Sequence, residues 1–386
     1  MSTFAEQTDR ITAGDLRARG SLKWTREAPD VIGAWVAEMD FGAAPAITAA
    51  LRDAVARADF GYLTENSARR LAEECGSWQR SRYDWPVDPE RIKPIPDVLK
   101  ALEASIEVFS RPGSPVILPT PAYMPFLTVP GRLGRETIGV PMACRDGRYE
   151  LDLDGIDAAF RAGGHLLVLC NPCNPVGRVY SRSELLAVCE VVSRHGGRVF
   201  ADEIHAPLVY PGFSHIPYAS VSDAAAGHTI TGTAASKGWN LPGLKCAQLI
   251  LSSSADAALW EEAGFLYEHG ASTVGVAASI AAYASGSEWL PDVVSYLDGS
   301  RSLLASLLPP ELGCTPPEGT YLAWLDCRGL DLPGSPAGFF LDKARVLLTD
   351  GADCGGAGRG FVRLNFATPR PILTTLVQRL TEALSD

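Results

Sequence analysis

His165-Leu166-Leu167-Val168-Leu169-Cys170 leads through a proline-rich loop to Ser181-Arg182-Ser183-Glu184 and a helical pattern ending near His195, then to Arg198-Val199-Phe200-Ala201-Asp202. The first run is continuously apolar, as a strand covered on both faces requires. Ser181 and Glu184 have the spacing of a capping box, and Gly196-Gly197 stops the helix they begin. The stretch therefore reads strand, helix, strand, and a helix joining two strands lays them parallel in one sheet. Pro115-Val116-Ile117-Leu118-Pro119, His228 to Gly232 and Ala247 to Leu251 read as further strands. The expected class is α/β, with a mostly parallel sheet sandwiched by helices.

The two ends read differently. Residues 1–45 are irregular and carry Trp24 and Trp35. Beyond about 290 the pattern predicts a helix over Trp289 to Leu308, a strand over Thr320 to Leu325, a helix over 336–346, a strand over Phe361 to Phe366 and a helix over 371–384. We expect a large domain over 46–288, and a small α+β domain formed by residues 1–45 and 289–386.

Composition narrows the class of partner. The 386 residues are 46% apolar and 20% charged, which is globular. No run approaches the roughly 18 apolar residues of a membrane span, and the polar start MSTFAEQTDR lacks a signal-peptide core. The expectation is a cytoplasmic protein with no membrane partner. A net charge of −11 disfavours nucleic acid. The nine cysteines read as reduced thiols. Cys170 and Cys173 form a C-x-x-C, but no second Cys or His pair stands at zinc spacing, so no metal is expected.

In open α/β sheets, ligands bind beyond the carboxyl ends of the strands. Four chemically distinctive groups fall in loops after strand-like runs. Asn174 lies in Asn171-Pro172-Cys173-Asn174-Pro175-Val176-Gly177, and Asp202 begins Asp202-Glu203-Ile204-His205. Tyr123 lies in Thr120-Pro121-Ala122-Tyr123-Met124-Pro125-Phe126, and Lys237 in Thr233-Ala234-Ala235-Ser236-Lys237-Gly238-Trp239-Asn240. Only six of the 34 Lys and Arg residues are lysine, so a lysine set among small residues suggests chemistry that a guanidinium cannot perform. An amine can lose its proton and form a Schiff base. On its own segment Lys237 reads equally as a surface charge; the other three groups decide. A lysine, an acid, an asparagine and an aromatic ring converging on one crevice match what pyridoxal phosphate needs. These needs are an imine partner, a partner for the pyridine nitrogen, a donor to the ring oxygen and a stacking face. The phosphate needs a helix N-terminus. Asp97-Val98-Leu99-Lys100 starts one, while Ser236 and Lys245 add a hydroxyl and a positive charge.

NPxNPxG, then DEIH, SKGWNLPGLK and a late FVRLNFA together resemble the fold-type-I pyridoxal-phosphate enzymes of the aminotransferase class I/II superfamily. Trp35-Val36-Ala37-Glu38-Met39-Asp40-Phe41, Gly61-Tyr62 and Tyr123-Met124-Pro125-Phe126 resemble its cystathionine β-lyase-like C–S lyase branch. The similarity runs over roughly 20–385. It implies the type I transferase fold, with a seven-stranded sheet in the large domain. It also implies roles. Lys237 would carry the cofactor and move the Cα proton, and Asp202 would hold the pyridine nitrogen. Asn174 and His205 would meet the ring oxygen, Asn174 also bordering the substrate. Tyr123 would stack on the ring and act in catalysis. Val98, Leu99, Ser236 and Lys245 would bind the phosphate. Tyr62 would reach the phosphate of a neighbouring subunit and take part in catalysis there, making a homodimer with shared sites. Arg363 would clamp the substrate carboxylate, with Ala37 beside it.

Plainer readings stand beside these: a strand salt bridge for Arg363, a core histidine for His205, packing for Tyr62 and a solvated charge for Lys245. Three positions depart from the branch: Cys173 stands where histidine is usual, Glu38 where aspartate is, and Asp97 in a turn that is usually apolar. The expected reaction is β-elimination of a cysteine S-conjugate to thiol, pyruvate and ammonia. Amino transfer, or decarboxylation with oxidative deamination of an S-alkyl-cysteine conjugate, are the alternatives.

Overall fold

The computed structural model describes residues 3–145, 147–286 and 288–385. Its centre is a seven-stranded sheet: β1 (Ile92–Ile95), β2 (Val116–Thr120), β3 (Thr137–Pro141), β4 (Leu166–Cys170), β5 (Arg198–Asp202), β6 (Thr229–Thr233) and β7 (Ala247–Leu251). The spatial order is β1-β7-β6-β5-β4-β2-β3. β7 runs antiparallel to both neighbours, and the remaining contacts are parallel. Every residue of β2, β6 and β7 is buried, as expected for strands covered by helices on both faces. The helix Arg182–Arg194 begins at Ser181 with the capping box complete. This is the α/β class expected from the alternation of apolar runs and helices.

The two edge strands, β1 and β3, have no clear sequence signature. Each contains a proline, Pro94 or Pro141, and proline is tolerated at an edge because no neighbour needs its missing N–H. A second, antiparallel sheet orders Gly313–Cys314, Leu322–Asp326, Phe361–Asn365 and Thr349–Asp350. The helix expected over 336–346 is broken. Pro336–Phe339 is α-helical, Phe340–Ala344 is a π-turn, and Arg345 is left-handed at φ 55°. The cause is tertiary: Val346 and Leu347 are drawn into a parallel pair with Ile32 and Gly33, and Arg345 binds Asp30.

Residues 34–41 form a strap across the top of the sheet, and side chains take up most of its carbonyls. The Trp35 carbonyl accepts from Thr349 and Arg363, those of Val36 and Glu38 from Asn365, and that of Met39 from Asn240. Asn240 also accepts from the Met39 N–H. Just before the strap, a Cβ on Gly33 would lie 1.9 Å from the Lys23 carbonyl oxygen, so only glycine fits. The strap is anchored by a buried ion pair. Lys23 Nζ lies 2.8 Å from Asp40 Oδ2, with side-chain exposures of 0% and 2%. Trp24 Nε1 donates to the other Asp40 oxygen at 2.7 Å.

Removing one partner of a buried pair strands the other charge. Lys23→Met is therefore expected to lower stability by roughly 3–5 kcal/mol, and Lys23→Met with Asp40→Leu to recover part of the loss. Urea titration of the three proteins checks this.

Candidate active site

The carboxyl ends of β2, β4, β5 and β6 open on one cavity of about 490 Å3, bordered by Tyr123, Asn174, Asp202, Lys237 and Arg363 and capped by the strap at Trp35, Val36 and Ala37. The four loop groups expected to converge do so.

Lys237 sits in the short helix Ala235–Gly238 directly after β6. Its Nζ donates to the Ala37 carbonyl at 2.7 Å. Burial pushes its amine down to about 8; nearby Arg363 adds to this, while Asp202 and Glu38 oppose it. Asp202 ends β5, in register with Cys170 on β4. Its Oδ1 accepts from the Ile204 N–H at 3.2 Å and its Oδ2 from the Cys170 thiol at 3.6 Å. Burial pushes the carboxyl up to about 6, although both hydrogen bonds favour the carboxylate. A buried acid and a buried amine thus each resist their charged form.

Arg363 is buried on Phe361–Asn365, and no carboxylate among the described residues forms an ion pair with it. It donates to Asn174 Oδ1 at 3.0 Å, the Trp35 carbonyl at 2.8 Å and Thr349 Oγ1 at 3.2 Å, while its Nε has no partner. The cation is held by neutral acceptors, so it is not part of an ordinary strand salt bridge. His205 is buried in a T-shaped contact with Tyr321, ring centroids 5.7 Å apart and planes at 71°, and its Nδ1 is unpartnered. Burial, aided by Lys237 and Arg363, holds its imidazole well below the usual value. Tyr123 occupies the N-cap position of the helix Met124–Arg132 without a capping side-chain bond, and burial pushes its phenol up.

The helix Val98–Val108 starts at the cavity wall. Asp97 is its N-cap: Oδ1 accepts from the Lys100 N–H at 3.0 Å, and Oδ2 pairs with Lys245 at 3.0 Å. The carboxylate is thus committed to capping and to a lysine, which removes the difficulty of an acid beside an anion site. Val98 and Leu99 line the cavity, and helix geometry gives their N–H groups no intrahelical acceptor. Ser236 and Lys245 border the same corner. Tyr62 stands apart, 86% exposed and tilted against His269; Phe60, two residues before it, and Phe265 and Leu266, just before His269, are also exposed. Cys173 is buried and unpaired, close behind Asp202's neighbour Cys170.

Four residues of the site escaped the sequence reading: Asn240, Tyr321, Thr349 and Asn365. Asn365 had a signal, since it follows Arg363 by two residues and so shares its face of the strand. Ala37 acts through its backbone carbonyl, which no residue-type argument points to.

The residues fit pyridoxal phosphate. A buried amine of lowered basicity, an acid at a strand end, a flat Tyr123 ring and a helix N-terminus with free amides border one cavity. The buried orphan atoms His205 Nδ1 and Arg363 Nε lack a polar partner there.

The sequence profile of the family "Aminotransferase class I and II" matches residues 30–380, and the chain belongs to that family. Within it, the chain is 38% identical to cystathionine beta-lyase of Corynebacterium glutamicum, over 96% of this chain and 98% of that one. It superimposes with a TM-score of 0.92 on a provisionally named PLP-dependent beta-cystathionase of Corynebacterium diphtheriae, at 41% identity over 97% and 98% of the two chains. The PLP-bound C-S lyase of Staphylococcus hominis gives a TM-score of 0.89 at 27% identity, over 98% of each chain.

The buried Asp202 makes stability depend on pH. Its folded value of about 6 lies above the ordinary 3.8, so ionising it costs the folded state free energy. The cost is absent below about pH 4 and complete above about pH 6. In cofactor-free protein, Asp202→Asn is expected to match wild type at pH 4 and to gain up to about 3 kcal/mol by pH 8. Thermal unfolding across that range measures it.

Proposed function

We propose that the protein is a pyridoxal-phosphate-dependent carbon–sulfur β-lyase. It would act on a cysteine S-conjugate of the cystathionine type and release a thiol, pyruvate and ammonia. One observation carries the amino-acid chemistry: a buried lysine amine near pKa 8 shares its cavity with a buried arginine that has no carboxylate partner among the described residues. The lyase outcome is supported by the likeness over nearly the whole chain to cystathionine beta-lyases.

When bound, pyridoxal phosphate supplies an aldehyde that condenses with amines and a ring that accepts the electron pair left at Cα. The chain's own groups do the rest. Arg363 binds the substrate α-carboxylate, for which its unpartnered Nε is available. Lys237 would remove the Cα proton; its lowered basicity keeps a neutral fraction near physiological pH. Asp202 would pair with the protonated ring nitrogen, and that positive partner would offset the cost of ionising its own carboxyl. Asn174 and His205 would meet the ring oxygen, and Tyr123 would cover the ring. Val98 and Leu99 N–H, Ser236 and Lys245 would hold the phosphate. The thiolate leaves from Cβ and takes up a proton, and water completes the release of pyruvate and ammonia.

The exposed Tyr62, beside the exposed Phe60, supports a homodimer in which Tyr62 reaches the partner's phosphate. We read residues 46–288 as the cofactor domain, and 1–45 with 289–386 as the smaller one. No helix among the described residues is long and apolar enough to cross a membrane, and the unpaired cysteines favour the cytoplasm.

Incubation with cystathionine and with S-methylcysteine tests the proposal. Thiol and pyruvate should appear in equal amounts, and Lys237→Ala should slow both by about 10²–10⁴-fold or more. Amino transfer to a keto acid without thiol, or carbon dioxide without thiol, would replace this reading with a transferase or a decarboxylase.

A further inference from the structure

The Ala37 carbonyl that holds Lys237 has a second donor. Tyr321 Oη donates to the same oxygen at 2.9 Å, beside the 2.7 Å bond from Lys237 Nζ. A carbonyl has two lone pairs, and these two donors fill both. Tyr321 is buried, its ring in a T-shaped contact with His205.

The backbone that delivers Tyr321 is strained. Thr320, a β-branched residue, is left-handed at φ 70°, a conformation that persists only when its surroundings impose it. They do: its N–H donates to the Leu208 carbonyl at 2.8 Å, its carbonyl accepts from the Tyr210 hydroxyl, and its Oγ1 accepts from the Leu322 N–H at 3.1 Å. Gly319 is pressed between Leu208, Val179 and Pro172, with room for no Cβ. The turn is thus built at some cost, and what it places is one phenol against one carbonyl.

We propose that Tyr321 is a positioning residue for Lys237, acting through the carbonyl of Ala37. Its hydroxyl fixes the direction of that carbonyl, and so the resting place of the free amine. By occupying one lone pair, it also weakens the carbonyl's hold on the ammonium form and favours the neutral base. This rests on reading Lys237 as the base.

The test is Tyr321→Phe, with Tyr210→Phe as the control that removes a hydroxyl from the same turn without touching Ala37. The full chain, stripped of cofactor, is labelled with acetic anhydride across pH, and acetylation of Lys237 is followed by mass spectrometry. Return of the cofactor's absorbance band on adding pyridoxal phosphate certifies the fold of each variant. Wild type should label with a midpoint near pH 8. Tyr321→Phe should raise the midpoint by roughly half to one unit, the worth of one hydrogen bond, and Tyr210→Phe should leave it in place. In the loaded enzyme the acid limb of kcat should move upward with it while KM stays put. A midpoint unmoved in Tyr321→Phe, or moved equally in Tyr210→Phe, overturns the proposal. The labelling needs no turnover, so it stands or falls apart from the lyase reading.

Discussion

The strap at residues 34–41 must find partners for a row of carbonyls, of which the backbone of the strand Phe361–Asn365 supplies only that of Ala34, and the answer to that demand organises the site. Buried carbonyls left alone are costly, so side chains from distant parts of the chain come to them: Arg363 and Asn365 from one strand, Asn240 and Lys237 from the segment after β6, Tyr321 from a turn. The same contacts that satisfy the strap bring together the chain's end, its middle and its beginning. The Lys23–Asp40 pair pins the arrangement from below. Structural satisfaction and site assembly are one set of hydrogen bonds.

That arrangement leaves the cavity with unrelieved charges. Asp202 is pushed up and Lys237 down by burial, and Arg363 has only neutral acceptors. In an ordinary core such groups would be paired with one another. Their separate locations suit a ligand that brings a positive ring nitrogen, an aldehyde and a carboxylate. On the proposed reading, cofactor and substrate would complete the electrostatics of the pocket, a stability cost accepted for function.

The parallel core was legible because periodicity is local. The run 165–170, the Ser181–Glu184 cap and the strand 198–202 announce themselves within a few residues of each other. Lys237, Asp202, Asn174 and Tyr123 were legible because strand ends are where this fold gathers ligands, and Arg363 through the family motif. The edge strands at 92–95 and 137–141 were hidden by their prolines, and the helix at 336–346 was cut short because Val346 and Leu347 pair with Ile32 and Gly33 near the other end of the chain. Asp97 looked misplaced beside an anion site until its contacts with the Lys100 amide and Lys245 were visible.

The sequence by itself determined the fold class, the family and the residue types proposed to do the chemistry, since these follow from short-range pattern and from side chains with distinctive reactivity. Only the tertiary structure decided what surrounds them. It made the carbonyl of Ala37, not its methyl group, the atom that holds Lys237, and it set Tyr321 on the same oxygen through a strained threonine. It also fixed how far burial moves Asp202 and Lys237 from their ordinary acidities. Those outcomes depend on desolvation and on hydrogen bonds between residues some 200 to 330 positions apart, and neither is written in any local stretch of the chain.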